Sequence, residues 1–292
     1  MAATDTVTAA PRVEASASAW RRLLADPLGA FGLALVVLIV ASAIFADWLA
    51  QYPPTQLDIR NKFSEPTLIH WLGTDHLGRD TFSRVVYGGR IALWVSLVAV
   101  SISLVLGLVL GMLAGYGPRW LDSFLMLVFD AVRSFPTIMF ALAVVIMLGP
   151  SLETVIFIVV VTSIPVYGRI VRTLTLSMRV NEFILAERSL GAGPVRVLFH
   201  HVLPNVIGPV LILASMEIPV VITIEAGLSF LGVGVRPPTP SWGSILNDGY
   251  AFIRDTPWLV LAGGMPVIVT TLGFTFLGES LRDIFDPRLR RD

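Results

Sequence analysis

Long apolar runs constrain the fold of this chain more than any other feature of its sequence. A helix needs about 20 predominantly apolar residues to cross a bilayer, and six stretches approach or exceed that length: residues 28–49, 91–114, 121–148, 154–169, 205–231 and 258–277. Only 14% of the 292 residues are charged, whereas a soluble domain has about 25%. The chain is therefore predicted to be an all-α membrane protein with six transmembrane helices.

The third apolar stretch is expected to break into two parts. Its first half carries Asp122, Asp130 and Arg133, which are costly to place in lipid. We predict a helix at the membrane surface up to Ser134, a bend near Pro136 and a transmembrane helix after the bend.

The distribution of basic residues predicts the orientation of the six helices. Most of the 21 Lys and Arg residues fall in the N-terminal tail, in alternate loops and at the C-terminus, and basic loops stay on the cytoplasmic side of a membrane. Both termini are therefore predicted to be cytoplasmic.

Composition and motif content exclude several kinds of function. The formal net charge is zero, so the chain lacks the basic footprint of a nucleic-acid-binding protein. It has no cysteine, which excludes disulfides and cysteine-ligated metals. Its one lysine, Lys62, lies in no phosphate-binding loop, so no cofactor is expected in this chain. The adjacent His200 and His201 would point in different directions on a helix and are interpreted as interfacial residues rather than metal ligands.

The longest amphipathic stretch is residues 181–205, which we predict to form two short helices. Asn181 can cap the first helix, and Gly191 suits the left-handed residue at its end. Pro194 suits the first turn of the second helix, which we expect to end before Pro204. A helical hairpin between two membrane spans suits a groove on a partner protein, and the alternative is a loop that lies on lipid headgroups.

The same stretch resembles the E-A-A…G…L-P loop of permease subunits in binding-protein-dependent ABC importers. Four positions match that motif, whereas Leu185 stands in place of Glu and Glu187 in place of Ala. We call residues 181–205 the coupling segment, because the resemblance implies that it contacts an ATPase subunit. The residues implied in this contact are Ala186, Glu187, Gly191, Ala192, Leu203 and Pro204.

Three further stretches resemble the dipeptide, oligopeptide and nickel branch of these permeases, the DppC/OppC type. They are residues 72–84, 228–243 and 281–290. The resemblance implies a type I ABC importer permease fold in the cytoplasmic membrane of a bacterium or archaeon. It also implies import of peptides or related small solutes by a transport subunit that is not itself an enzyme.

The resemblance implies several partners. Together with the composition, it also implies an organisation in three parts. The partners are a second permease subunit of the DppB/OppB type, two cytoplasmic ATPase subunits that bind ATP and Mg²⁺, and an extracytoplasmic solute-binding protein. The parts are a disordered cytoplasmic tail (1–19), a first transmembrane helix with an outer loop (20–90), and a five-helix permease core (91–292) with the cytoplasmic coupling loop at 177–205.

The outer loop alternates acidic and basic side chains among turn residues between positions 73 and 84, which suits a rigid loop held by salt bridges. Two interpretations of Asp75, Arg79 and Asp80 stay open. They contact the solute-binding protein, or they pack within the loop itself.

Glu217 and Glu225 lie within the fifth apolar run, where a carboxylate costs roughly a few kcal/mol and normally faces a bundle interior or a cavity. One interpretation is that they line the transport pathway, and the other is that they are protonated, hydrogen-bonded structural residues. They also define an alternative function, an ion-coupled secondary transporter, although no internal repeat favours it. A membrane-embedded enzyme ranks third, because the chain offers no nucleophile or metal set.

Overall fold

The computed structural model describes residues 19–285, so nearly all of the predicted disordered tail and the end of the 281–290 motif lie outside the described residues. Apart from one isolated bridge between Thr74 and Asp80, the regular structure of the described chain is helical. The helices are α1 (Ala19–Ala25), α2 (Pro27–Ile44), α3 (Ala46–Leu49), α4 (Thr81–Tyr116), α5 (Arg119–Arg133), α6 (Thr137–Leu148), α7 (Leu152–Arg179), α8 (Glu182–Ser189), α9 (Pro194–Val197), α10 (Leu203–Phe230), α11 (Trp242–Ala251) and α12 (Trp258–Phe285).

Five or six candidate membrane spans account for most of these helices. The helices α2, α4, α7, α10 and α12 are each long and apolar enough to cross a membrane. The short helix α9 is continuous with α10. The pair α5 and α6 is together long and apolar enough for a sixth span and is bent by 87° at the break between its helices. Pro136 lies at this break as the N-cap residue of α6. The predicted bend is therefore confirmed.

The centre of the bundle is the pair α4 and α7, which run in the same direction and pack along most of their length. Their close approach depends on Gly107, Gly111 and Gly115, which recur every fourth residue along α4. A Cβ atom at Gly111 would lie 2.6 Å from the carbonyl oxygen of Gly168, and one at Gly115 would lie 2.7 Å from Cβ of Thr175. Small residues at this spacing let two membrane helices pack backbone to backbone.

The helices α2, α10, α11 and α12 complete the bundle around this pair. The helix α12 packs against α2, α10 and α11, and α10 also packs against α4 and α7. One apolar core joins α4, α6, α7 and α10, and it includes the fully buried Ile158 and Tyr167. The short α11 leads back into α12 and buries Trp242 at its start.

The two polar segments singled out in the sequence lie at opposite ends of this bundle. The helix α4 begins next to the loop at 72–80, and the parallel α7 ends next to the coupling segment. Gly29 of α2 packs against Ser280 of α12, and Gly208 of α10 lines a pocket together with Leu281 of α12. Both ends of the described chain therefore lie at the same end of the bundle as the coupling segment.

The helix that carries the second apolar run begins at Thr81, ten residues before that run. Asp80 caps this helix, since its side chain accepts a hydrogen bond from a backbone N–H of the first turn at 2.8 Å. The Gly88-Gly89 pair lies inside the helix and makes room for the ring of Trp242. The sequence alone did not show this partner, which comes from a distant part of the chain.

The helix of the fourth apolar run is longer than the run itself, because α7 continues beyond residue 169 to Arg179. Its last turns still pack on α4 through the buried Thr175. They also pair with α5, where Nη2 of Arg172 lies 2.7 Å from Oδ2 of Asp122. Packing therefore extends this helix past the apolar run that marks the span.

Candidate coupling and pathway sites

The first helix of the coupling segment ends as the sequence predicts. Gly191 has a backbone φ of +88°, a left-handed conformation that residues with a side chain disfavour. Its N–H donates to the carbonyl oxygen of Arg188 at 3.0 Å, and the N–H of Ala192 donates to that of Glu187 at 3.0 Å. These two bonds form a Schellman motif, which ends α8 and turns the chain towards α9.

Two other predicted details of the coupling segment are wrong. Asn181 precedes α8, but its side chain makes no capping hydrogen bond, and its backbone carbonyl accepts from the N–H of Ile184 instead. The second helix does not end before Pro204, because α9 continues through a π-helical turn at Leu198–Val202 into α10. Proline lacks an N–H and its ring clashes with the carbonyl four residues earlier in a regular helix, and the wider turn accommodates both effects.

Three apolar side chains anchor the coupling segment to the bundle. Ile184, Val197 and Val202 are fully buried in the core that α4 and α7 share. A polar link adds to them, since Oε1 of Glu187 lies 3.5 Å from Nε2 of His201. The hairpin is therefore held in a defined position on the bundle.

Other apolar side chains of the coupling segment remain exposed. Leu190, where the chain leaves α8, is 86% exposed. The neighbouring Arg188 and Arg196 are exposed as well, so this surface does not belong to a membrane span. Exposed apolar groups of this kind are typical of surfaces that contact another protein or the membrane. We call them the docking patch, which consists of Phe183, Leu185, Leu190, Val195 and Phe199.

The six positions implied by the resemblance differ in their exposure. Three of them are exposed and three are half-buried. A Cβ atom at Gly191 would meet no other atom of the chain within 4 Å, so the space around this position is open. The sequence analysis missed the docking patch itself, for which the only signal was a set of large apolar residues between charged ones. The exposed positions are Ala186, Gly191 and Pro204, and the half-buried ones are Glu187, Ala192 and Leu203.

A buried charge cluster lies at the opposite end of the bundle and joins the loop at 72–84 to α11. It consists of Asp75, Arg79, Arg84 and Asp248. Nε of Arg79 lies 2.6 Å from Oδ2 of Asp75, which also pairs with Arg84. Oδ2 of Asp248 lies 3.4 Å from Nη2 of Arg79 and 3.5 Å from Nη2 of Arg84. The loop is salt-bridged as its sequence suggests, but sequence reasoning missed Asp248, which is distant in the chain.

All three residues predicted to contact a solute-binding protein have buried side chains. Asp75 and Arg79 belong to the charge cluster. Asp80 caps α4, and its Oδ1 lies 2.9 Å from Nδ1 of His70. These side chains hold the loop together, so that contact with another protein would have to use other side chains of the loop.

Two residues of the charge cluster, Asp75 and Asp248, form a set of candidate metal ligands together with the neighbouring His76. Their ligand atoms lie within 4.8 Å of one another. The guanidinium groups of Arg79 and Arg84 already pair with both carboxylates. Two positive charges at this distance repel a cation. The arrangement therefore favours an internal ion-pair network over a metal site.

Burial raises the pKa values of the two carboxylates in the charge cluster, and the two arginines lower them. Burial raises the pKa of Asp75, but Arg84 and Arg79 together outweigh it and hold that pKa below its ordinary value of 3.8. For Asp248, burial is the strongest influence and raises the pKa above its ordinary value. Asp75 is thus the firmly ionised partner of the two arginines.

The two glutamates of the fifth apolar run have different surroundings. Glu225 is fully buried, and its Oε1 accepts a hydrogen bond from Oγ of Ser229 at 2.8 Å. Glu217 is only half-buried, and its Oε1 accepts a hydrogen bond from Oγ of Ser163 on α7 at 3.0 Å. Only Glu217 is therefore accessible from outside the chain.

Comparison with known families is decisive for the class of protein. Residues 107–291 match the family model of the binding-protein-dependent transport system inner membrane component. The chain belongs to this family. Residues 16–66 of the permease also match the N-terminal transmembrane domain of oligopeptide transport permease C. The predicted membership of the binding-protein-dependent importers is confirmed, and the protein is a multi-pass inner-membrane transport subunit rather than an enzyme.

Characterised relatives resemble the permease along nearly its whole length. It is 38% identical over 272 residues to the dipeptide transport system permease protein DppC of Alkalihalophilus pseudofirmus, a match that covers 93% of this chain and 90% of that protein. It is 39% identical to the glutathione transport system permease protein GsiD of Escherichia coli, with the same two coverages.

A solved structure supports the predicted fold. A chain of the inward-facing MetNI methionine ABC transporter matches the permease with a TM-score of 0.56 and 20% identity. The match covers 70% of this chain and 98% of that chain. The predicted type I importer permease fold is therefore confirmed.

Proposed function

We propose that this permease forms half of the translocation pathway of an ATP-driven importer for peptides or related small solutes. The observation that carries the proposal is the coupling segment, which is anchored by three buried side chains and presents an exposed docking patch. The substrate class rests on the relatives, of which one is named for dipeptide transport and one for transport of glutathione, a tripeptide. Family membership argues against the ion-coupled alternative.

The docking patch is proposed to seat in a groove of a cytoplasmic ATPase subunit. ATP and Mg²⁺ are proposed to bind to a pair of these subunits, because Lys62, the one lysine of this chain, lies in no phosphate-binding loop. When ATP closes the pair, the anchored hairpin moves with it and pulls on α7 and α10. A second permease subunit of the DppB/OppB type supplies the other half of the pathway.

The solute-binding protein is proposed to dock at the other end of the bundle, on exposed side chains around the charge cluster. Asp75, Arg79 and Asp80 would then give the docking surface its shape rather than touch the partner. Of the two glutamates, Glu217 is proposed to line the pathway and Glu225 to be structural, because Glu225 is enclosed by the chain itself.

Reconstitution tests this function. The permease co-expressed with its genomic neighbours should copurify with ATPase subunits, and liposomes that hold the complex should take up a dipeptide only with ATP and the solute-binding protein. The purified permease alone should neither bind nor hydrolyse ATP. Hydrolysis by the isolated chain, or uptake driven by an ion gradient without ATP, would contradict the proposal.

The orientation is tested with single cysteines, which are clean probes because the chain has none. Ala192→Cys, in the coupling segment, should react with a membrane-impermeant thiol reagent only from the cytoplasmic side. Thr239→Cys, in the loop before α11, should react only from the other side. Reaction of both positions from one side would contradict the six-span topology.

A further inference from the structure

Glu217 is a carboxylate within a span that the chain itself leaves without a positive partner. Its hydrogen bond from Ser163 occupies Oε1 alone, and among residues 19–285 no Lys, Arg or His nitrogen lies within 4.0 Å of its carboxylate oxygens. Tyr167, one turn after Ser163 on α7, is fully buried, and its hydroxyl has no hydrogen-bond partner in the described chain. Polar groups therefore gather on this face of α7 and α10 without a compensating positive charge.

The half-exposed position of Glu217 restricts what it can face. A charged side chain that faces lipid near the centre of a bilayer costs roughly 2.5–3.5 kcal/mol or more. Intramembrane carboxylates therefore face a water-filled cavity or a protein partner. In half of a two-subunit pathway, the surface that fits this requirement is the one that lines the pathway.

Both helices that carry this polar group are interrupted by proline. Pro165 lies inside α7 and Pro219 inside α10, each two residues after a member of the Ser163–Glu217 pair. Because proline has no N–H, the carbonyl groups of Val161 and Ser215 cannot receive the regular helical hydrogen bond from it. Irregular helices within membranes use such free carbonyl oxygens to bind cations. These two carbonyl groups lie on the same two helices as Ser163 and Glu217 and add hydrogen-bond acceptors to this part of the bundle.

We propose that Glu217 is a cation-binding subsite of the pathway, and that it takes the ammonium group of a peptide as the solute passes. The inference rests on the proposed function and adds the chemical group that the pathway recognises. A peptide with a free N-terminus carries an α-ammonium group that is largely protonated at neutral pH. The carboxylate, with no arginine or lysine beside it, attracts this group, and its one hydrogen bond from Ser163 orients it.

The first experiment measures the electrostatic character of the site directly. Val220 lies one turn after Glu217 and is 46% exposed, so Val220→Cys places a single thiol beside the carboxylate in a cysteine-free chain. In the reconstituted complex, a cationic methanethiosulfonate reagent should react at this thiol at least about tenfold faster than an anionic one. Adding Glu217→Gln should bring the ratio of the two rates close to one, whereas Glu153→Gln, at an exposed carboxylate on α7, should leave it unchanged.

Two outcomes of the labelling experiment would overturn the proposal. If neither reagent reacts at Val220→Cys in the complex, this face points towards lipid or is covered by a partner. If the preference for the cationic reagent survives Glu217→Gln, another group sets the charge of the site.

The second experiment measures transport of the dipeptide Ala-Ala by the complete complex. Glu217→Gln should lower the maximal uptake rate at least about tenfold without changing the affinity of the solute-binding protein for the dipeptide, and Glu217→Asp should recover most of the rate. Equal uptake by Glu217→Gln and the wild type would refute the subsite alone. Failure of the wild-type complex to take up any peptide would instead refute the proposed function.

Discussion

The coupling segment exposes large apolar side chains such as Leu190 and is held by three buried anchors. The charge cluster at the other end of the bundle instead buries three charged side chains and pairs two of them with the half-buried Asp248 from a distant part of the chain. Both regions are polar interruptions between apolar runs in the sequence. In the structure, the charged groups of the cluster pair with one another, while apolar side chains of the docking patch such as Leu190 and Val195 stay largely exposed. The comparison separates a region whose charged side chains are paired within the permease from one whose exposed apolar side chains we propose to bind another subunit.

The largest effect is expected from breaking the charge cluster. Arg84→Ala removes a 4% exposed guanidinium and leaves Asp75 without one of its two arginines, and loss of one partner of a buried ion pair costs about 3–5 kcal/mol. The thermal unfolding temperature of the purified permease should fall markedly. Arg60→Ala, at an exposed position of the same loop, is the control and should have little effect. An unchanged unfolding temperature in Arg84→Ala would mean that these charges are free to contact another protein.

The next effect should come from the docking patch and should concern assembly rather than stability. Leu190→Ser removes an exposed apolar side chain whose burial against an ATPase subunit is worth roughly 1.5–3 kcal/mol, or about ten- to hundredfold in affinity. The recovery of ATPase subunits with the purified permease should fall, while the unfolding temperature stays as in the wild type. Ser189→Ala, at the neighbouring exposed position, is the control. Full recovery with Leu190→Ser would remove the distinction between the two regions.

A smaller effect is expected at Gly191. Its φ of +88° makes Gly191→Val strained by about 1–2 kcal/mol, although no atom of the chain would clash with the new side chain. The bundle should therefore stay folded, while attachment of the ATPase weakens or its hydrolysis is uncoupled from transport. Gly191→Ala should be milder, and Arg196→Lys should matter least. Normal transport and normal complex recovery in Gly191→Val would show that the segment is only a connecting loop.

The smallest effect is the dependence of stability on acid. Because the pKa of Asp75 in the folded permease lies below its ordinary value of 3.8, its contribution to stability is fully present above that value and is lost as the pH falls through the lower, folded pKa. The unfolding temperature should therefore decrease in strong acid less steeply in Asp75→Asn than in the wild type. Asp255→Asn, at an exposed position, should keep the wild-type slope.

Much of the candidate coupling site was predictable, because its signals are local. The φ angle of Gly191 follows from a residue without a side chain at the end of a short helix, and Pro194 starts the next helix as expected. The continuation of α9 into α10 was not predictable, because Pro204 usually ends a helix. Packing of Val197 and Val202 into the core stabilises the uninterrupted helix, and the π-helical turn removes the clash.

The sequence by itself determined the class of protein, the apolar stretches of the candidate spans, the bend at Pro136 and the end of α8 at Gly191. These features depend on composition, on apolar run length and on residues close together in the chain. Only the tertiary structure decided that Asp248 joins the charge cluster, that α4 reaches back to Thr81, and that Glu225 is enclosed while Glu217 is accessible. Burial of a charged side chain depends on which distant helix lies beside it. In this bundle the neighbouring helices are set by the close packing of α4 on α7 and of α11 on α12.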